Sequence, residues 1–217
     1  FYLVLSQPDL GTAVLIVVTG LIVIWLTGFR IKYFLYSFFV LIFLIPVGIS
    51  FLEPYQKTRI LTFLNPERDP LGAGYQIIQS KIAVGSGGIF GKGFLQGSQS
   101  YLDYLPEKHT DFIFTLFSEE FGFVGSVGLL LIYVMIIYRV ILIGNEAKNN
   151  FAKLYCFGFA SAFFAYVTVN MCMVLGLLPI VGAPLPIMSY GGSAMLSMMI
   201  GLGIVMSCKI HQDYNIN

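Results

Sequence analysis

Charged side chains are scarce in this sequence. Asp, Glu, Lys and Arg make up 11% of its 217 residues, against about 25% in soluble domains, while hydrophobic residues make up 57%. The mean hydropathy is +0.84. This composition excludes an ordinary soluble domain and indicates an integral membrane protein. The net charge of +1 provides no basic excess for binding nucleic acid.

Cysteine is also rare, and its pattern excludes two kinds of site. Cys156, Cys172 and Cys208 lie in apolar segments, and no two of them form a C-x-x-C pair. Buried thiols are therefore expected, rather than disulfides or metal ligands.

The opening residues FYLVLSQPDLG contain neither an initiator Met nor a basic region before an apolar core. They do not resemble a signal peptide, and we expect the interior of a longer protein with further helices upstream.

Uncharged runs of about 20 residues predict an all-α membrane protein with about five transmembrane helices. The uncharged stretch from 154 to 208 is too long for one helix, and the Pro- and Gly-rich run GLLPIVGAPLPIMSYGG is expected to break it. The predicted spans are residues 10–27, 33–52 with a kink at Pro46, 121–138 beginning further back near Asp111, 154–178 and 187–208. We expect one polytopic helical bundle, a single domain over residues 1–217.

The distribution of Lys and Arg predicts the orientation of this bundle. If the five spans alternate, one side receives two short basic loops and the C-terminal tail, with Arg30, Lys32, Arg139, Lys148, Lys153 and Lys209. Because positive charge favours the inner side, the C-terminus is predicted to be cytoplasmic. Residues 53–110 then form a long extracytoplasmic loop, whose own charges carry little weight in long loops.

The outer loop contains two further patterns. The portion YQIIQSKIAV places Ile77, Ile78 and Ile82, with Val84 as a further candidate, near one face of a short amphipathic helix. This helix either lies on the membrane surface or packs on the protein. The run GSGGIFGKG fails the phosphate-loop pattern, because Lys92 is followed by Gly rather than Ser or Thr. Two interpretations of this run stay open, an anion-binding nest assisted by Lys92 and a plain flexible turn, of which the turn is favoured.

Two aspartates stand at the outer ends of predicted spans. Asp9 follows Pro8 in QPDLGT, and Asp111 precedes FIF in LPEKHTDFIF. An Asp in the first helical turn often only caps free N–H groups, and this structural role is open for both. A functional role is favoured more for Asp111, because Lys108 and His109 are adjacent and can tune its charge.

Two further carboxylates follow Asp111 inside the same span. Glu119 and Glu120 lie about 12 Å deeper along a helix, and Glu119 lies about 80° around the axis from Asp111. Ionisable groups at that depth need partners or water and are candidates for function. For Glu120 the preferred interpretation is a structural pairing with a neighbouring segment.

At these residues the sequence resembles the SEDS family (shape, elongation, division, sporulation) of bacterial cell-wall proteins. The similar motifs are QPDLGT, DPLGAGYQIIQSKIAVGSGG, LPEKHTDFIF and LPIVGAPLPIMSYGGSA, in family order along nearly the whole chain. The segment QSKIAVGSGGIFGKG resembles the elongation branch of this family more than its division branch. The resemblance implies that the family's N-terminal helices are missing here, so this chain would be the C-terminal portion.

The resemblance implies a peptidoglycan glycosyltransferase that polymerises lipid II, with a class B penicillin-binding protein and other elongation-complex membrane proteins as partners. The family's essential Asp falls on Asp111, the expected general base, and its PDLGT Asp falls on Asp9. Outer cations would stabilise the departing diphosphate, with Lys108 and Lys81 ranked before Lys92 and Arg59. The supporting or substrate-binding candidates are Asp9, His109, Lys108, Lys81, Lys92, Glu119, Ser189, Gly191 and Gly192.

Other functions stay open at this point. A divalent cation such as Mg²⁺ could neutralise the diphosphate, although the sequence has no compact ligand cluster that requires one. A lipid II flippase or transporter would also carry polar groups inside its spans, but such sites usually lie near the bilayer midplane. A non-catalytic scaffold for the penicillin-binding protein would tolerate Asp111→Asn, whereas an enzyme would not.

Overall fold

The computed structural model describes residues 10–30, 32, 33, 35, 36, 39, 40, 43, 54–69, 72–97 and 109–211. Over these ranges the regular structure consists of helices, and no strand occurs among the described residues. In chain order the α-helices are α1 (Leu10–Leu26), α2 (Pro54–Leu64), α3 (Ala73–Ser86), α4 (Ile113–Glu146), α5 (Asn150–Val174) and α6 (Gly192–Ile210), with a 3-10 turn at Pro66–Arg68.

The predicted membrane helices are largely confirmed. By length and composition α4, α5 and α6 can each cross a membrane, and α1 is a shorter apolar helix. The span predicted at 33–52 lies mostly outside the described residues. The third predicted span, residues 121–138, lies within α4, which continues to Glu146, and only residues 147–149 separate α4 from α5. The Pro-rich run does interrupt the helices, since residues 175–191 between α5 and α6 are not helical.

Two apolar clusters occupy opposite ends of the bundle. Val140 and Ile143 of α4 meet Cys156 and Ala160 of α5 and Val205 of α6 in the first cluster. This cluster joins the end of α4, the beginning of α5 and the end of α6. The basic residues Arg139, Lys148, Lys153 and Lys209 therefore share this end, which we call the basic end.

The second cluster lies where α4 begins and α5 finishes. Phe112 and Phe114 pack with Met173 and Val174 of α5 and with Leu185 of the Pro-rich run. This end, opposite the basic end, carries Asp111, and α3 contributes Ile77 to it. The length of the bundle thus separates the four basic residues of the basic end from the candidate base.

Helix α3 is packed on the protein. Its buried residues are Gly74, Ile77, Ser80 and Ala83, whereas Ile82 is 49% exposed. The Ser80 hydroxyl donates to the Val174 carbonyl at 2.9 Å, satisfying one of the free carbonyls at the end of α5. The predicted helix is confirmed. The predicted apolar face was wrong at Ile82. The buried positions of α3 recur every three residues, and Ile82 does not fall on that narrower face.

Helix α4 is broken near the level of its acidic residues. Gly122 has φ +66° and ψ −162°, a conformation accessible essentially to glycine alone. The break divides α4 into a short segment, residues 113–121, and a long segment, residues 123–146. Broken helices in membranes need partners for the freed backbone groups.

The glycine run of the outer loop provides these partners. Lys92 N–H and Gly93 N–H donate to the carbonyls of Glu119 and Glu120, each at 3.0 Å. In return, the N–H groups of residues 123 and 124 donate to the carbonyls of residues 88 and 89, at 2.9 and 3.0 Å. The run is therefore a docking turn. The anion-nest interpretation is not supported, because these backbone N–H groups already point at protein carbonyls.

Candidate functional site

Asp111 lies in a turn immediately before α4, at the end of the bundle opposite the basic end. It is half-buried. Its Oδ2 lies 3.5 Å from the position that a Cβ on Gly182 would occupy, so the carboxylate borders the Pro-rich run. Gly182 has φ +72°, a left-handed conformation that favours glycine. The residue without a side chain leaves space beside the candidate base.

Three consecutive main-chain carbonyls hold the Asp111 turn in place. The His109 carbonyl accepts from Tyr190 N–H at 2.9 Å. The Thr110 carbonyl accepts from the Ser189 hydroxyl at 2.6 Å. The Asp111 carbonyl accepts from Asn170 Nδ2 at 2.8 Å. Each peptide of the turn is therefore bonded to α5 or to the run between α5 and α6.

Several predicted supporting residues line one cavity beside this turn. The cavity has a volume of about 540 Å³, and its walls include His109, Ser189, Tyr190, Gly191 and Gly192. His109 is exposed, whereas Ser189 is buried. The structure thus brings together four sequence-predicted residues, His109, Ser189, Gly191 and Gly192, next to the turn that carries Asp111.

Two cations reach the same Pro-rich run. The Arg59 guanidinium donates to the Ile180 carbonyl at 3.3 Å. The Lys81 ammonium lies over Gly176, with Nζ 2.7 Å from the position of a Cβ there. Gly176 follows the end of α5, where positive charge also complements the helix dipole. Lys81, Arg59 and the Asp111 carboxylate therefore border the run at residues 176, 180 and 182.

Lys92 and Glu119, also predicted as supporting residues, form a separate pair. Lys92 Nζ lies 2.7 Å from Glu119 Oε1. Glu119 lies eight residues after Asp111 in the sequence, in the short segment of α4. This pair lies at the docking turn, and Lys92 is accordingly bonded to a carboxylate of its own protein. Glu120 is buried beside it, with its carbonyl bonded to Gly93.

Two predicted residues, Asp9 and Lys108, lie outside the described residues. Close to the first of them in sequence, Gly11 of α1 packs against Val181, where an added Cβ would collide with the Val181 carbonyl. The glycine of the PDLGT motif therefore contacts the run that borders Asp111.

Sequence reasoning missed Asn170 altogether and ranked Arg59 low. A signal for Asn170 existed, because it is the one Asn or Gln in the uncharged stretch from 154 to 208.

The helices and this site define a class, the multi-pass all-α membrane proteins with a polar site at one end of the bundle. The chain belongs to the FtsW/RodA/SpoVE family of cell cycle proteins, whose family model matches residues 1–214. The resemblance to the SEDS family is thereby confirmed.

Curated relatives are similar over nearly the whole chain. Peptidoglycan glycosyltransferase MrdB of Escherichia coli (strain K12) is 48% identical over 211 residues, covering 97% of this chain and 57% of the relative. Stage V sporulation protein E of Bacillus subtilis (strain 168) is 40% identical, covering 99% of this chain and 58% of the relative. The chain thus spans somewhat more than half the length of these relatives.

Solved structures share the fold. A peptidoglycan synthase complex, described as coordinating polymerization and crosslinking, matches with a TM-score of 0.80 at 36% identity, covering 98% of this chain and 59% of that chain. The rod shape determining protein RodA of Thermus thermophilus matches with a TM-score of 0.63 at 27% identity, covering 98% of this chain and 53% of that chain.

Proposed function

We propose that the protein to which this chain corresponds is a peptidoglycan glycosyltransferase that polymerises lipid II for cell elongation. One observation carries the proposal: the Asp111 carboxylate borders Gly182 on the same run that Arg59 and Lys81 reach. A base and two cations that border one short segment are the groups that glycosyl transfer from a lipid diphosphate requires. The glycosyltransferase relatives supply the substrate class.

In this mechanism Asp111 acts as the general base. Its carboxylate takes the proton of the acceptor sugar's 4-hydroxyl while that oxygen bonds to the anomeric carbon of the donor. The bond between the anomeric carbon and the diphosphate oxygen breaks, and undecaprenyl diphosphate departs with the bonding electrons. The half-buried position of Asp111 keeps it open to substrate at one end of the bundle.

Cations of the protein would stabilise the leaving diphosphate. Lys81 and Arg59 both border the run at residues 176–180, so we assign them this role together with Lys108, which the motif places beside Asp111. Lys92 is assigned to the docking turn instead, because it pairs with Glu119. No three His, Cys, Asp or Glu side chains converge within the described part of the chain. A divalent cation such as Mg²⁺ would neutralise the same diphosphate, alongside the protein's own cations.

We place the protein in the bacterial cytoplasmic membrane with the basic end inside. Arg139, Lys148, Lys153 and Lys209 share that end, and positive charge favours the cytoplasmic side. Asp111 then faces outward, where lipid-linked sugars become wall polymer. The expected partners are a class B penicillin-binding protein, which crosslinks the new strand, and other membrane proteins of the elongation complex.

The test uses full-length protein, purified in detergent and supplied with lipid II. Wild-type protein should form glycan polymer, whereas Asp111→Ala and Asp111→Asn should form none while unfolding at a similar temperature. Glu146→Gln, which changes an exposed carboxylate at the basic end, is the matched control and should polymerise normally.

The outcomes separate the alternatives. Near wild-type polymerisation by either Asp111 variant would contradict the assignment of the base. If the wild-type protein forms no polymer but moves lipid II across vesicles, the transporter is correct. If it does neither and still binds the penicillin-binding protein, the scaffold is correct.

A further inference from the structure

We infer that Asn170 is a positioning residue for Asp111, a role that rests on the proposed function. Asn170 lies on α5 and is fully buried. Its Nδ2 group donates to the Asp111 carbonyl at 2.8 Å and to the Ala183 carbonyl at 2.7 Å. One amide therefore joins the main chain of the candidate base to the main chain of the run that faces it.

The burial of this amide needs an explanation. An amide placed in an apolar interior is costly unless its hydrogen bonds are made, and polar groups inside membrane helices are functional candidates. The two carbonyls fix which way the amide points, because only its NH₂ group can donate to both. Asn170 Oδ1 has no hydrogen-bond partner among the described residues. The side chain is thus oriented to donate two hydrogen bonds, while its own carbonyl oxygen accepts none from the described residues.

The two acceptors belong to the two segments that meet at the Asp111 carboxylate. The Asp111 carbonyl fixes the peptide that follows the carboxylate-bearing Cα. Ala183 follows Gly182, the residue that the carboxylate borders. Asn170 therefore fixes the position of the base relative to Gly182. Displacing a reacting group by about 1 Å can reduce a rate by about 100-fold.

Ser189 reinforces the same geometry one peptide away. Its hydroxyl donates to the Thr110 carbonyl at 2.6 Å and accepts from Leu185 N–H at 2.7 Å. It likewise connects the Asp111 turn with the Pro-rich run. Two side chains, one from α5 and one from the run itself, thus tie together the same pair of segments.

A simple packing role would have different consequences. If Asn170 only filled space, its replacement by a residue of similar volume would lower stability, and the protein that remained folded would keep its turnover. If Asn170 positions Asp111, the folded variant should bind lipid II with little change in KM and turn it over slowly. Measuring the change in kcat and the change in KM separately therefore distinguishes the two roles.

The experiment compares Asn170→Leu with Met173→Ala in full-length protein supplied with lipid II. Met173 lies on the same helix and is fully buried, but belongs to the apolar cluster and changes no hydrogen bond. We expect Asn170→Leu to lower kcat by about 100-fold with KM within about threefold. Met173→Ala should lower the unfolding temperature while kcat stays within about threefold.

Ser189→Ala provides the second measurement, which also serves if Asn170→Leu does not fold. It removes one hydroxyl and should lower kcat by about tenfold at unchanged KM. A wild-type kcat in folded Asn170→Leu, or in Ser189→Ala when the first variant does not fold, would overturn the inference. Absence of polymer with the wild-type protein would instead overturn the proposed function.

Discussion

Lys92 and Glu119 form an ion pair of unequal burial. Their Nζ and Oε1 atoms are 2.7 Å apart, the Lys92 side chain is 30% exposed, and the Glu119 side chain is fully buried. Ser86 Oγ donates to the same oxygen at a long 3.5 Å. The pair lies beside the break in α4, where the docking turn supplies backbone hydrogen bonds. The ion pair therefore adds a side-chain contact to the backbone hydrogen bonds between the docking turn and α4, close to the short segment that follows Asp111.

The unequal burial predicts unequal effects of substitution. Lys92→Met leaves a buried carboxylate without its ammonium partner and should lower the free energy of unfolding by about 3–5 kcal/mol. Glu119→Gln leaves a lysine that can reach solvent and should cost about 1 kcal/mol, the net value of a hydrogen bond. Thermal unfolding in detergent measures both. The double variant Lys92→Met with Glu119→Gln should recover most of the loss, and a double variant as unstable as Lys92→Met alone would contradict the pairing.

Gly122 should not tolerate a side chain. Its backbone conformation is essentially restricted to glycine, and an added Cβ would lie 2.7 Å from the Ile89 carbonyl. Gly122→Ala should therefore lower the unfolding temperature, with about 1–3 kcal/mol from the backbone alone. Gly128→Ala is the matched control on the same helix, because nothing lies within 4 Å of its added Cβ. The control should be neutral or stabilise the helix by up to about 1 kcal/mol. Equal unfolding temperatures of the two variants would show that the break is not required.

The orientation of the membrane bundle can be tested with reporter fusions. A reporter fused after Asn217 should be active only if it works in the cytoplasm, because the basic end carries Lys209 and its neighbours in space. The control fusion is placed within the Pro-rich run at the opposite end, where only a periplasmic reporter should be active. Activity of a periplasmic reporter fused after Asn217 would place Asp111 on the cytoplasmic side. That result would contradict the proposal that Asp111 acts at the outer face of the membrane.

The membrane helices were predictable because their cause is local. A run of about 20 apolar residues must become helical in a bilayer whatever surrounds it, so α1, α5 and α6 follow from composition. The interruption between α5 and α6 follows from prolines that cannot continue a helix. The position of Asp111 at one end of the bundle was predictable for a related reason, since it directly precedes an apolar run and such a run becomes a membrane helix.

The partners of these residues depended on the tertiary structure. Glu119 and Lys92 are 27 residues apart, and only the docking of the glycine run on the break in α4 joins them. Asn170 is 59 residues from Asp111, and its hydrogen bond exists only because α5 returns beside the start of α4. Sequence patterns record local preferences such as hydropathy and turn formation. Contacts between distant residues arise from packing, and packing decided which groups surround the candidate base.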